Sequence, residues 1–588
     1  MGIRHRFAAP PGLRAARDLA LRLRLRLWAR LWALRASRAR RRLRADVPGL
    51  RRVACGPARL YGRTVTGFTA AEAAATDLER VCALLEAADV PYFLVPADQG
   101  HAGLRQVIGV AQTHRGTVLD AAARHFARTA AFAGAVGPDG AVTTAVLWAD
   151  GGLPRALRRS PVLRTGEVRL GPQGQVLGGL ESGCDIEFWR HGRDLGADPG
   201  HLTVPGVQLP DAFGTALVAP RRNPVSEVLP VSAQRPAVVD ARSRSVPTFA
   251  PFAEPRIDEV CFPVDAVYTW VDGADPAMAA KRRAHQAASE NVIAPRETGD
   301  SRYTSHDELK YALRSLEMNA GFVRHVYLVT DSQVPDWLDP EAEGLTVVDH
   351  RDILPAEALP VFNSHAIESR LHHIPGLSER YLYFNDDVFI NRPVRAEHFF
   401  HGNGIARIPL SPLKLGIGDP HPLEPAPNSA GKNTREVIRR FHGRQITHKS
   451  LHTPHPQLMS VMREMEQLGI EELERTSYSR FRSTTDVAPA STLHHHWAIA
   501  TGRAVPADYR FRYVQLGTPD MRRRLARLEA GEDIDFFCLN DVDTDPAERA
   551  AAQAAIHAFL ERKYPFASRF ERAEEVARQP TRLTLPVN

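Results

Sequence analysis

The run YLYFNDDVFI (381–390) is apolar or aromatic except where Asn385, Asp386 and Asp387 interrupt it. Paired carboxylates at the end of a buried strand can approach a diphosphate only through a hard divalent cation, whose ligands are oxygens. Asn and Asp are also ordinary turn residues, so the trio gains meaning from its company. Other acids stand where apolar runs stop: Asp272 and Asp275 in VDAVYTWVDGADP (264–276), Asp331 after VRHVYLVT, and Asn540-Asp541 closing DFFCLND (535–541). Ligands of open α/β sheets bind beyond the carboxyl ends of the strands. Asp272, Asp331 and Asn385-Asp386-Asp387 are therefore expected to converge, and Asn540 and Asp541 could add oxygen ligands to the same metal.

Proton-transfer and phosphate-binding groups lie between those segments. His448, His452 and His455 are spaced by four and three, as zinc ligands on a helix would be, but Pro454 and Pro456 forbid a regular helix there. With no accompanying cysteine motif, the group reads as the source of a catalytic histidine. His494-His495-His496 before Trp497 is explained by packing and solvation. Arg480 and Arg482, followed by Asp486, offer guanidinium groups suited to bidentate phosphate binding.

The elements that must position these residues alternate strand and helix, the order of a parallel sheet. Strands are predicted over 264–271, 323–331, 345–350, 380–390 and 535–541. Ser305-His-Asp-Glu308 is a helix-opening pattern, followed by a core face of Leu309, Ala312, Leu313 and Leu316. The Pro- and Gly-rich stretch Pro409–Lys432, ahead of a short helix opened by Asn433, is expected to be a mobile cover. Upstream, Leu78, Val81, Cys82 and Leu85 mark a helix, PYFLVP (91–96) a strand, and CDIEFWR (184–190) a strand with Asp185 and Glu187 on one face. That pair could bind a metal; without a partner motif it reads as two acids on a solvated edge strand.

Length and charge bound the whole. A chain of 588 residues exceeds one ordinary core, and three parts are expected: 1–52 as an Arg-rich basic arm, 53–255 as an α/β module with a Pro-rich connector, and 256–588 as the catalytic domain. Residues 1–52 hold 16 Arg and two acids, so their +14 masks a net −7 over the remainder. Basic character is local, and no nucleic-acid partner is expected. Leu, Trp and Arg interleaved over 19–44 suit an anionic membrane surface. Five scattered cysteines fit reduced thiols, and no apolar run approaches the roughly 20 residues of a membrane span. The expected location is cytoplasmic, or peripheral at the inner face of the plasma membrane.

The segments DAVYTWVDGADP, SRYTSHDELKYALRSLEMNAGFVRHVYLVTDSQVPDWL, LPVFNSHAIESRLHHIPGLSERYLYFNDDVFI and FFCLNDV resemble the four conserved regions of the Stealth family. That family includes bacterial capsule hexose-1-phosphate transferases and the lysosomal-targeting N-acetylglucosamine phosphotransferase of animals. The resemblance spans about 256–545 and implies a Rossmann-like glycosyltransferase-type core beside a smaller N-terminal α/β module. It implies transfer of sugar-1-phosphate from a UDP-sugar donor to a hydroxyl of an oligo- or polysaccharide acceptor, with Mg²⁺ or Mn²⁺. Carried over by position, Asp272, Arg302 and Asn385 belong to the donor site, and Asp387, Asn540 and Asp541 to the metal. LHTPH marks His452 as the catalytic histidine, with Arg482, Asp486 and Asp386 beside it. Either His452 or Asp486 could be the general base, or Asp486 could orient the imidazole. The long insertions of the animal enzyme are missing, so nothing here supports recognition of lysosomal proteins. The alternatives are a metal-dependent glycosyltransferase releasing UDP and a non-catalytic nucleotide-sugar-binding scaffold.

Overall fold

The computed structural model describes residues 34–56, 58–97, 103–195, 214–242, 244–286, 303, 305–541 and 546–573. Arg302 and residues 1–33 lie outside them. Apart from two short stretches, the chain divides into two compact units between Glu254 and Pro255.

In the first unit, the helix Ala70–Ala87 buries Leu78, Val81, Cys82 and Leu85 against a largely antiparallel sheet. The strand Cys184–His191 is central, flanked by Gln106–Ala111 and Val162–Gly166. Its acids are therefore neither on an edge nor solvated. Asp185 receives Arg164 Nε at 2.7 Å and Arg221 Nη2 at 2.9 Å, and Glu187 receives Arg221 Nε at 2.6 Å and Trp189 Nε1 at 3.0 Å. Guanidinium groups, not a metal, neutralise the pair. Residues 34–46 are helical, Leu43 is buried, and Arg40 grips the buried Asp150 with both prongs at 2.6 and 2.7 Å. Residues 34–52, counted above with the basic arm, are thus built into this unit.

The second unit is organised by a five-stranded sheet. Four strands, β1 (Val264–Thr269), β2 (Val323–Thr330), β3 (Leu345–Asp349) and β4 (Arg380–Asn385), run parallel. A fifth, β6 (His455–Leu458), pairs antiparallel with β4. The order β3-β2-β1-β4-β6 reverses direction between β1 and β4, where Thr269 and Asn385 are in register. Every residue of β1 is buried, as expected of parallel strands covered on both faces. Tyr381, Tyr383, Val267 and Val329 carry the core on one face.

The predicted strand 380–390 is in fact two. After β4 the chain turns at Asp386-Asp387, and β5 (Val388–Ile390) leaves for a separate sheet, antiparallel to β8 (Phe536–Asn540), which lies parallel to β7 (Phe511–Gln515). Local alternation could not show this, because the residues on both sides of Asn385-Asp386-Asp387, Tyr381–Phe384 and Val388–Ile390, are all apolar or aromatic. The helix Glu308–Asn319 buries the expected Leu309, Ala312, Leu313 and Leu316. Its start differs from a capping box: Asp307 sits in the left-handed region at φ 60°, and Glu308 turns back to accept the His306 N–H at 2.5 Å.

The expected cover over 409–432 is mostly regular structure. A strand runs Ala406–Lys414 and a helix Ala426–His442, leaving 415–425 as the connection. Asn433 lies inside that helix and donates to the carbonyls of Thr484 and Asp486 at 2.8 and 2.7 Å. Among the described residues no helix is long and apolar enough to cross a membrane.

Candidate active site

A cleft opens at the carboxyl ends of the parallel strands, beside the reversal between β1 and β4. Asn385, Asp386, Asp387, His452, Arg482, Asn540 and Asp541 all line it. The turn after β4 places Asp387 against β8, where its carbonyl accepts the Leu539 N–H at 3.1 Å. Its Oδ2 accepts from Asn540 Nδ2 at 2.9 Å and Cys538 Sγ at 3.2 Å, and its Oδ1 faces His452 Nε2 at 3.3 Å. Segments more than sixty residues apart thus meet at one carboxylate.

The three consecutive histidines hold the segment that carries His452. His494 Nε2 accepts the Leu458 N–H at 2.8 Å, His495 Nδ1 meets Ser450 Oγ at 2.9 Å, and His496 Nε2 meets the His448 carbonyl at 3.1 Å. Burial pushes His494 down to about 3 and His496 to about 4, so both are neutral partners. His448, His452 and His455 do not converge. His448 faces Lys414, and His455 is buried beside Tyr383 in the sheet.

Not every expected residue faces the cleft. The Asp272 side chain accepts the Ala274 N–H at 2.9 Å, and Asp275 accepts the Ala277 N–H at 2.9 Å at the start of the helix Pro276–Gln286. Gln333 bridges the Asp272 carbonyl and Asp275. Both acids shape the loop, and Gly273 is required within it, since a Cβ there would stand 2.3 Å from the Tyr303 carbonyl oxygen.

Asp486 is also set back. Its Oδ2 accepts from Asn363 Nδ2 and the Ser483 N–H, both at 2.9 Å. The carboxylate beside His452 is Asp387, not Asp486, so Asp486 shapes the 483–486 turn that follows Arg482. Burial raises Asp486 to about 6. The fold therefore favours its protonated form, a contribution fully present below the unfolded carboxylate range of about 4 and lost as pH rises through about 6. Asp486→Asn, which has no such proton, should flatten the pH dependence of the melting temperature across that window. An unchanged slope in thermal melts would contradict this placement.

Two carboxyl groups were missed by sequence reasoning. Glu308, which looked like a capping residue, lines the cleft and is 6% exposed. Glu368 is buried too, accepting from Tyr383 OH at 3.4 Å and the Ala490 N–H at 3.3 Å. The only signal for either was its place inside a motif-rich segment. Burial raises Glu368 to about 7. Burial, then the neighbouring Asp387, raises Asp386 to about 7, while burial and Asp386 hold Glu308 well above the carboxylate range. Burial opposes ionisation of Asp387 too, but His452 overcomes it and holds Asp387 below its ordinary value. Arg482 donates to Ser364 Oγ at 3.0 Å.

Crowded carboxylates of this kind could hold a cation. Asp387, His452 and Cys538 also bring ligand atoms within 4.8 Å of one another. Most donors lining the cleft, among them Asn385, Asp386, Asp387, Asn540 and Asp541, are oxygens, a set suited to a hard divalent ion.

The fold and cleft define an α/β protein with an acidic, histidine- and arginine-bearing site at its sheet edge. Four conserved regions of Stealth proteins match along the chain: region 1 over 262–285, region 2 over 302–408, region 3 over 451–499 and region 4 over 526–581. Two of the segments compared above fall within region 2, and region 3 is the stretch holding His452, Arg482 and Asp486. An exopolysaccharide phosphotransferase of Streptomyces coelicolor is 41% identical over 98% of this chain and 96% of its own length. The exopolysaccharide phosphotransferase CpsY of Mycobacterium tuberculosis is 33% identical over 88% of this chain and 92% of its own. The chain belongs to the Stealth family.

Proposed function

We propose that this chain is an exopolysaccharide phosphotransferase that moves hexose-1-phosphate from a UDP-sugar to a hydroxyl of an oligo- or polysaccharide acceptor. The product is a phosphodiester-linked capsular or cell-surface polymer. The observation that carries the reading is His452 at 3.3 Å from Asp387, in one cleft with Arg482, in a chain whose relatives are named exopolysaccharide phosphotransferases. The β3-β2-β1-β4 order supports a Rossmann-like glycosyltransferase-type core, with the ligand at the switch point of the sheet.

The acceptor oxygen attacks the sugar-bearing phosphorus of the donor. A new P–O bond forms, the bond from that phosphorus to the bridging oxygen breaks, and UMP leaves with the electron pair. With Nε2–H directed to Asp387, Nδ1 of His452 is left to take the hydroxyl proton. Arg482 offsets charge on the transferring phosphoryl oxygens. The carboxylates of Asp387 and Asp541, with Asn540, would hold Mg²⁺ or Mn²⁺, whose chemistry is neutralisation of diphosphate charge.

Donor labelled with ³²P in the β-phosphate tests the bond that breaks. Label should enter the polymer, with UMP as the nucleotide released. Label leaving as UDP beside an unlabelled glycoside would mean a glycosyltransferase on the same site.

A further inference from the structure

Two adjacent histidines and a glutamate from a distant segment meet outside the set of residues that line the cleft. His372 and His373 end the turn Leu371–His373, and Glu466 lies near the end of the helix Met459–Gln467, which directly follows β6. His372 Nε2 stands 2.8 Å from Glu466 Oε2, and His373 Nε2 stands 3.1 Å from the same oxygen. The ligand atoms of all three lie within 4.8 Å of one another. Two imidazole nitrogens aimed at one carboxylate oxygen are spaced much like ligands of a tetrahedral ion, which bonds of about 2.0–2.1 Å hold roughly 3.3 Å apart.

The side chains have the forms a cation needs. Burial pushes His372 down to about 4, so its ring is neutral at pH 7, as a ligand must be. Its Nδ1 has no partner among the described residues, so nothing there opposes a proton moving to Nδ1 and freeing the Nε2 lone pair. Burial opposes ionisation of Glu466, but hydrogen bonds from the two imidazoles overcome it and hold the carboxyl below its ordinary value. Arg370 grips the other oxygen, Oε1, and also holds Glu474 and Ser477. Anchoring one carboxylate oxygen so that the other is presented is how outer partners orient a metal ligand. The His373 side chain is 41% exposed, which leaves a path for an ion and a place for water.

We propose that His372, His373 and Glu466 form a binding site for zinc, with water completing the shell. Two nitrogens and one oxygen suit zinc better than magnesium or calcium, which prefer oxygens alone. A site with three protein ligands is open and exchangeable, and here it staples the turn Leu371–His373 to the helix behind β6. That turn continues the segment carrying Ser364, the partner of Arg482, and Glu368. The ion braces the scaffold of the cleft and takes no part in the chemistry.

The experiment titrates Zn²⁺ into the metal-stripped full chain against a chromophoric chelator, with Mg²⁺ saturating throughout. Outer partners of a ligand are worth about 10- to 100-fold in affinity, so His373→Ala, which removes a ligand at an exposed position, should weaken zinc binding by more than about a hundredfold. Zinc should raise the melting temperature of the wild type, because it binds only the folded chain, and should leave that of His373→Ala unmoved. Cys538→Ser distinguishes this site from the group of Asp387, His452 and Cys538, and should keep the wild-type zinc affinity. Equal zinc affinity in the wild type and His373→Ala would overturn the proposal, as would zinc binding lost in Cys538→Ser but kept in His373→Ala. Neither result depends on which bond of a donor the chain breaks.

Discussion

Asp387→Asn is expected to lower kcat by more than about a thousandfold, on the order of 4 kcal/mol of transition-state stabilisation, while the melting temperature changes by only a few degrees. The size follows from how much meets at this side chain. One oxygen faces His452 at 3.3 Å, and the other accepts from Asn540 at 2.9 Å and Cys538 at 3.2 Å. An amide removes the charge that would hold a divalent cation and turns an NH₂ toward one of those donors. The backbone contact to Leu539 remains, so the turn itself survives. Thermal melts and turnover at saturating Mg²⁺ check both halves, and near-normal turnover would remove Asp387 from the site.

His452→Gln should cost about 10²- to 10⁴-fold in kcat, the usual worth of a positioned general base, with a smaller change in KM. Glutamine can still reach Asp387 but cannot take the acceptor's proton. The pH profile separates this from a packing defect. Burial lowers the affinity of His452 for a proton, but the Asp387 charge prevails and holds the imidazole above its ordinary value of 6.5. A base works in its neutral form, so wild-type turnover should rise with pH through that raised value, and the variant's residual turnover should lack this limb. If the variant keeps the same acidic limb, another group is the base.

Much of this site is legible in the residues themselves, for a local reason. A parallel strand buried on both faces reads as an apolar run, and the first polar residues after it mark its carboxyl end. That rule placed Asn385, Asp386, Asp387, Asn540, Asp541 and Asp331 at the cleft without coordinates. The family motifs selected His452 and Arg482 from among several histidines and arginines.

Tertiary structure decided what local pattern could not encode. An acid after a strand can face the ligand or cap its own turn, and only the path of the chain separates Asp387 from Asp272 and Asp275. Whether 380–390 is one strand or two depends on β8, about 150 residues later, because β5 has nothing in its own composition to prefer one sheet over the other. The partner of His452 proved to be Asp387 rather than Asp486 because the segment carrying His452 is held by His494, His495 and His496. Glu308 passed as part of a helix-opening pattern. What makes it a candidate for function is burial in the cleft wall, and burial is a property of everything packed around a residue rather than of its neighbours in the chain.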